Sequence, residues 1–131
     1  MVDRIRMANE AGGLSVWEWN IAEDVTVIEE NSPFLERLGL PRKLHGTEFI
    51  DKIVHPEDRE ATCREVQNLS IGADVIAFEN RYRCKDGSYK WLLWNSTALP
   101  GKKLIYAVAH DITERTRAEE ALKQTAAELT R

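Results

Sequence analysis

Val75-Ile76-Ala77-Phe78-Glu79-Asn80-Arg81-Tyr82-Arg83-Cys84-Lys85-Asp86-Gly87-Ser88-Tyr89-Lys90-Trp91-Leu92-Leu93-Trp94 reads as a β-hairpin. Over residues 75–84, Ile76, Phe78, Tyr82 and Cys84 alternate with Ala77, Glu79, Arg81 and Arg83, the period of a strand with one buried face. The Asp86-Gly87 pair tolerates the positive φ angles that hairpin turns use. A returning strand is expected over residues 89–98. Along it Tyr89, Trp91 and Leu93 share one face while Leu92 and Trp94 share the other. Neither face is polar along its middle, so the strand is expected to be covered on both sides.

After this hairpin, residues 100–103 form a short loop and residues 104–112 a last strand, again with apolar residues of both parities. Before it, Pro56 and two acidic residues open the clearest helix, because a first helical turn lacks N–H partners and carries the positive end of the dipole. That helix is expected to run to Leu69 and to bury Ala61, Cys63, Val66 and Leu69. Residues 44–54 read as one or two brief helical turns. Ser32 and Pro33 open a short helix over residues 33–38, with Ser32 as its cap and Gly39 as its end.

Further towards the N-terminus, residues 14–21 alternate with Trp17, Trp19 and Ile21 on one side, and Glu23-Asp24 turns the chain into a second strand over residues 25–29. A helix over residues 3–11 is expected to stop at Gly12-Gly13. The order is helix, two strands, short helices, three strands and a helix: an α+β chain with one antiparallel sheet. At 131 residues and 15.0 kDa there is room for one core.

The net charge of −4 and the lack of a basic run interleaved with aromatics argue against nucleic-acid binding. No apolar stretch approaches the roughly 20 residues that span a bilayer. Charges in residues 1–7 disfavour a signal peptide, so the chain is expected to be cytoplasmic. Cys63 and Cys84 show no metal or disulfide spacing and are expected to be free, mostly buried thiols.

No phosphate-binding loop, nucleophile elbow or His-Glu-x-x-His motif occurs, so no catalytic residue is assigned and the chain is expected not to be an enzyme. His45, His55 and His110 lack metal-ligand spacing, and no metal is expected. His55, just before a helix N-terminus, is expected to hydrogen-bond the first turn rather than to ligate haem. Of the four tryptophans, Trp17 and Trp19 share a strand face while Trp91 and Trp94 oppose each other. At most three can therefore meet in one cavity. The fourth is expected to face a partner or the N-terminal helix.

The final helix has Asp111 or Thr113 as cap and is expected to run through Arg131 without a terminator. Ala118, Leu122, Ala126 and Leu129 form an apolar stripe suited to pairing with a second copy, though a helix of this length is too short for a coiled coil to hold by itself.

Several of these segments, in their order, resemble the PAS family in its PAS_3-type branch. They are Trp17-Glu18-Trp19-Asn20, residues 31–40 (Asn-Ser-Pro-Phe-Leu-Glu-Arg-Leu-Gly-Leu), His55-Pro56-Glu57-Asp58-Arg59, residues 79–91 of the hairpin, and Asp111-Ile112-Thr113-Glu114-Arg115. The resemblance implies a five-stranded antiparallel sheet in spatial order 2-1-5-4-3, with short helices over one face. It divides the chain into an N-terminal flanking helix (residues 1–13), a sensor domain (14–112) and a C-terminal signalling helix (113–131).

It further implies a pocket lined by Trp17, Trp19, Phe34, Phe78, Tyr82 and Trp91, a signal junction at Asp111 and Thr113, and a homodimer. A C-terminal effector such as a histidine kinase or a diguanylate cyclase would follow. Residues 44–54 lack the cysteine of the flavin-binding light sensors, and the long helix lacks the histidine of the haem binders. Flavin and haem are therefore both disfavoured, and the expected ligand is an unspecified small molecule. The alternative expectation is a ligand-free dimerisation and docking module.

Overall fold

The computed structural model describes residues 14–30, 32–99 and 101–130. The helix expected over residues 3–11 lies outside them. Six strands, β1 (Leu14–Asn20), β2 (Val25–Ile28), β3 (Lys43–His45), β4 (Val75–Arg83), β5 (Tyr89–Leu99) and β6 (Leu104–Asp111), form one antiparallel sheet in the order β3-β2-β1-β6-β5-β4. The helices are α1 (Pro33–Arg37), α2 (Glu48–Ile53), α3 (Arg59–Ser70) and α4 (Thr113–Leu129), with a 3-10 turn at Pro56–Asp58.

The expected five-strand order is present, with one strand added at its edge. Lys43–His45 pairs with β2 through Thr26↔Leu44. The segment expected to be all helical turns is thus part strand and part helix. Only Leu44 of the three β3 residues is buried, and one inward residue is too short a period to be seen in a sequence.

Two other expectations are corrected. In β4, Val75 is buried and Ile76 is 80% exposed, because the ladder shifts register between Val75 and Phe78. Ala77 sits there at φ 54°, and its N–H donates to Asn95 Oδ1 (2.9 Å). A β-bulge resets which parity faces inward, so Phe78, Asn80 and Tyr82 point to the core while Ile76 does not. In α3 the buried residues are Thr62 and Leu69, with Glu65 and Val66 partly covered, and Cys63 is exposed. The covered set 62, 65, 66, 69 follows the helical repeat, which Cys63 does not fit. Cys84 is buried, as expected.

Local chemistry explains the remaining boundaries. Ser32 Oγ accepts from Phe34 N–H (3.2 Å), capping α1. Gly39 ends it at φ 68°, where a Cβ would meet Lys85 Cγ at 2.6 Å, so conformation and space both require glycine. In the hairpin turn Gly87 alone takes positive φ, while Asp86 Oδ1 accepts from the Ser88 N–H (2.9 Å) and hydroxyl (2.6 Å).

The helices cover one face of the sheet, and the core beneath them includes Trp17, Ile28, Phe34, Leu38, Ile50, Val54, Leu92 and Trp94. No helix among the described residues is long and apolar enough to cross a membrane.

Candidate functional site

The inward face of the sheet mixes large and small side chains. Register places Ile28, Trp17, Ala107, Ser96 and Val75 in one row across β2, β1, β6, β5 and β4, with Thr26, Trp19 and Ile105 in the row beside it. The small residues Ala107, Ser96 and Thr26 leave room that α2 and α3 roof over without filling. The result is a cavity of about 110 Å³ whose aromatic walls are Trp17, Trp19, Phe49, Phe78, Tyr82 and Trp94.

Four of the six residues expected to line a pocket do so: Trp17, Trp19, Phe78 and Tyr82. Phe34 is 2% exposed but belongs to the core beside the cavity, not to its wall. Trp91 is on the opposite face of β5, where the Arg81 guanidinium lies 4.8 Å from its ring centroid. Trp94, which pairs with Phe78 across the hairpin, takes the place expected of Trp91. Three tryptophans thus share the cavity, and the sequence permitted no more.

Asn80 is the residue that sequence reasoning missed. It is 1% exposed and bonded through both ends of its amide: the NH2 donates to Thr62 Oγ1 (3.1 Å) and the carbonyl accepts from Trp94 Nε1 (2.8 Å). Thr62 donates in turn to the Asp58 carbonyl (2.7 Å), tying α3 to β4 and β5. A signal was available, since Asn80 falls on the inward parity between Phe78 and Tyr82, where a polar residue needs a buried partner.

Ser15 shares the parity of Trp17 and Trp19 and is fully buried. Its hydroxyl accepts from Trp17 Nε1 (2.7 Å) and bonds the Ser32 hydroxyl (2.5 Å).

Beside the cavity, Arg81 and Asp58 form a clamp. Asp58 Oδ2 accepts from the Arg81 backbone N–H (2.8 Å) and Nε (2.9 Å), and Oδ1 accepts from Nη2 (2.9 Å). Those bonds to Arg81 hold the Asp58 carboxyl below its usual value and keep the guanidinium charged. His55 Nδ1 accepts from Glu57 N–H (3.1 Å), the helix-turn role expected of it, and its ring packs against Tyr89 (4.7 Å). Tyr82 is different: burial alone pushes its phenol up, and its hydroxyl has no hydrogen-bond partner among the described residues.

The expected junction residues are joined to each other and to the strand behind the cavity. Asp111 Oδ1 accepts from the Thr113 N–H (3.0 Å) and hydroxyl (2.5 Å), and Oδ2 lies 3.5 Å from Arg37 Nη1. Thr113 Oγ1 accepts from Trp91 N–H (2.9 Å), and Ile112 N–H donates to the Trp91 carbonyl (2.9 Å). The start of α4 is therefore fastened to β5 three residues from Trp94. Beyond Thr116 the helix stands clear of the sheet, and Ala118, Leu122, Ala126 and Leu129 are all exposed, the two leucines at 70% and 81%.

Comparisons with known proteins agree with this architecture. A family model described as PAS fold matches residues 27–108. The probable diguanylate cyclase DgcE of Escherichia coli (strain K12) is 26% identical over 88 residues, 66% of this chain, and the match spans 8% of that protein's length.

A sensory box histidine kinase/response regulator structure from Burkholderia thailandensis superposes with TM-score 0.71 at 21% identity, covering 97% of this chain and 98% of that one. The N-terminal domain of a diguanylate cyclase with PAS/PAC sensor from Marinobacter aquaeolei gives TM-score 0.65 at 22% identity, covering 79% and 98%. At these identities the structural likeness speaks for the fold.

Proposed function

The chain belongs to the PAS fold family, whose members serve as regulatory sensor modules, and from that premise we propose that it is the input domain of a larger signalling protein. A small molecule held among Trp17, Trp19, Phe78, Tyr82 and Trp94 changes the seating of β5. That change passes through Asp111 and Thr113 to the exit angle of α4. In a homodimer, two such helices pair through Ala118, Leu122, Ala126 and Leu129, and a small rotation of the pair biases a C-terminal effector between two states. The domain is regulatory and carries out no catalysis itself.

The observation that supports this most is the pair of 2.9 Å hydrogen bonds that Trp91 makes, accepting from Ile112 N–H and donating to Thr113 Oγ1, on the strand that also presents Trp94 to the cavity. The likeness to a probable diguanylate cyclase and to a histidine kinase supports an effector of either kind.

The test is made in the full-length protein. Asp111→Ala and Thr113→Val each leave the domain folded but change effector output at least threefold. Output within error of the parent for both variants refutes the junction.

A ligand-free docking module is the second reading, and one observation favours it. Ile76 (80% exposed), Tyr106 (39%) and Val108 (36%) leave apolar surface on the sheet's outer face. A partner seated there needs no ligand. Retention of a small molecule through purification speaks against this reading, and a concentration-dependent dimer with an empty cavity speaks for it.

A further inference from the structure

The polar groups around the cavity divide into those already used and those left over. All three indole N–H donors are used: Trp17 donates to Ser15 (2.7 Å), Trp19 to Asp24 (3.0 Å) and Trp94 to Asn80 (2.8 Å). Asn80 and Thr62 bond each other and their neighbours. The tryptophans therefore offer a ligand only apolar and π surface.

Left over are the hydroxyls of Thr26, Tyr82 and Ser96, each more than nine-tenths buried, and that of the exposed Thr47, all without a hydrogen-bond partner among the described residues. The other unused group is the Glu65 carboxylate. It is half-buried on α3, lines the cavity, and has no hydrogen-bond or ion-pair partner among the described residues.

Charge then selects among ligand classes. Glu65 carries the only formal charge among the described lining residues, which include no Lys, Arg or His. A carboxylate or phosphate ligand would lose its hydration without gaining a counter-charge, and the cost of burying an unpaired ion is severe. A cation meets the opposite situation: a free carboxylate, aromatic rings whose negative faces attract positive charge, and hydroxyls that accept hydrogen bonds. Size sets a further limit. Benzene, with six carbons, occupies an engineered cavity of ~150 Å³, so the space of about 110 Å³ beneath the helices matches a group of up to about six non-hydrogen atoms.

We infer that the cavity takes a small organic cation, an alkylamine of roughly this size, with its ammonium at Glu65 and its apolar end among the tryptophans. This rests on the cavity being the input site.

The test titrates the ¹⁵N-labelled chain with three matched probes, 3-methylbutylamine, 3-methylbutanol and 3-methylbutanoate, following the indole N–H signals of Trp19 and Trp94. The amine is expected to bind at least tenfold tighter than the alcohol, and the carboxylate to leave both signals unmoved. Glu65→Gln is expected to remove the preference for the amine without weakening the alcohol.

Alcohol or carboxylate binding as tightly as the amine overturns the charge assignment while leaving the cavity an input site. A preference for the amine that survives in Glu65→Gln overturns the role of Glu65. If none of the three probes moves either indole signal, the cavity reading falls as well.

Discussion

Tyr82 shows how far one side chain can depart from its apparent role. An aromatic residue on a strand's inward face is legible as core from alternation alone, and Tyr82 is 4% exposed. Its hydroxyl is not legible, because whether a partner exists depends on residues far away in sequence. A buried hydroxyl without a partner costs stability, so Tyr82→Phe is expected to raise unfolding stability by up to about 1 kcal/mol in urea titrations. A loss of more than that amount would mean the hydroxyl is bonded.

Asp58 is the reverse case, a surface-type residue made structural by Arg81. Its folded-state pKa lies below the usual 3.8, chiefly through hydrogen bonds from Arg81. The stability this contributes is therefore complete above that usual value and disappears as pH falls through the lower folded value. Asp58→Asn should lose about 1.5 to 3 kcal/mol at neutral pH, where hydrogen bonds to a charged group are at full strength. The difference from the parent should shrink toward zero below the carboxylate range. A pH-independent difference in paired denaturation series contradicts the assignment.

Among the elements, β4 and β5 were legible as a hairpin but not in their facing. Each face of β5 carries a tryptophan, so alternation could not say whether Trp91 or Trp94 enters the cavity. Pairing decides it: Trp94 stands opposite Phe78 and in the column of Ser96, while Trp91 stands opposite Arg81. In β4 the bulge at Ala77 shifts parity by one residue, and nothing in Val75-Ile76-Ala77-Phe78 announces it because alanine is an unusual choice at positive φ. The left-handed conformation costs a non-glycine residue about 1 to 2 kcal/mol, partly offset by glycine's greater chain entropy.

Ala77→Gly is accordingly expected to stabilise the domain by about 0.5 to 1 kcal/mol, raising the midpoint of thermal unfolding. Destabilisation would show that Ala77 is not held at positive φ. The α4 helix was the opposite kind of element, with its start and its apolar stripe readable from sequence, though its N-cap is Ile112 with no side-chain cap bond, and Asp111, expected as a cap, instead accepts from Thr113 at the first helical position. The attachment of α4 to Trp91 was not readable, since that bond joins residues 22 positions apart.

For the molecule as a whole, element order pointed to one antiparallel sheet, while the spatial order of its five expected strands came only through the resemblance to the PAS family. The three-residue edge strand was too short to show. The cavity exists because Ala107 and Ser96 stand opposite each other, with Thr26 in the adjacent row, and alignment between strands is a property of register, which a linear sequence states only indirectly.

The central claim is that what occupies this cavity governs how α4 is held. Ala107→Leu fills part of the cavity from its floor without touching the junction. Native-state amide hydrogen exchange then compares the Ile112 and Thr116 amides with that of Ile28 on β2, remote from α4. The account predicts at least a threefold change at Ile112 and Thr116 relative to Ile28. Exchange rates that stay the same at the junction, or move equally at all three amides, would contradict it.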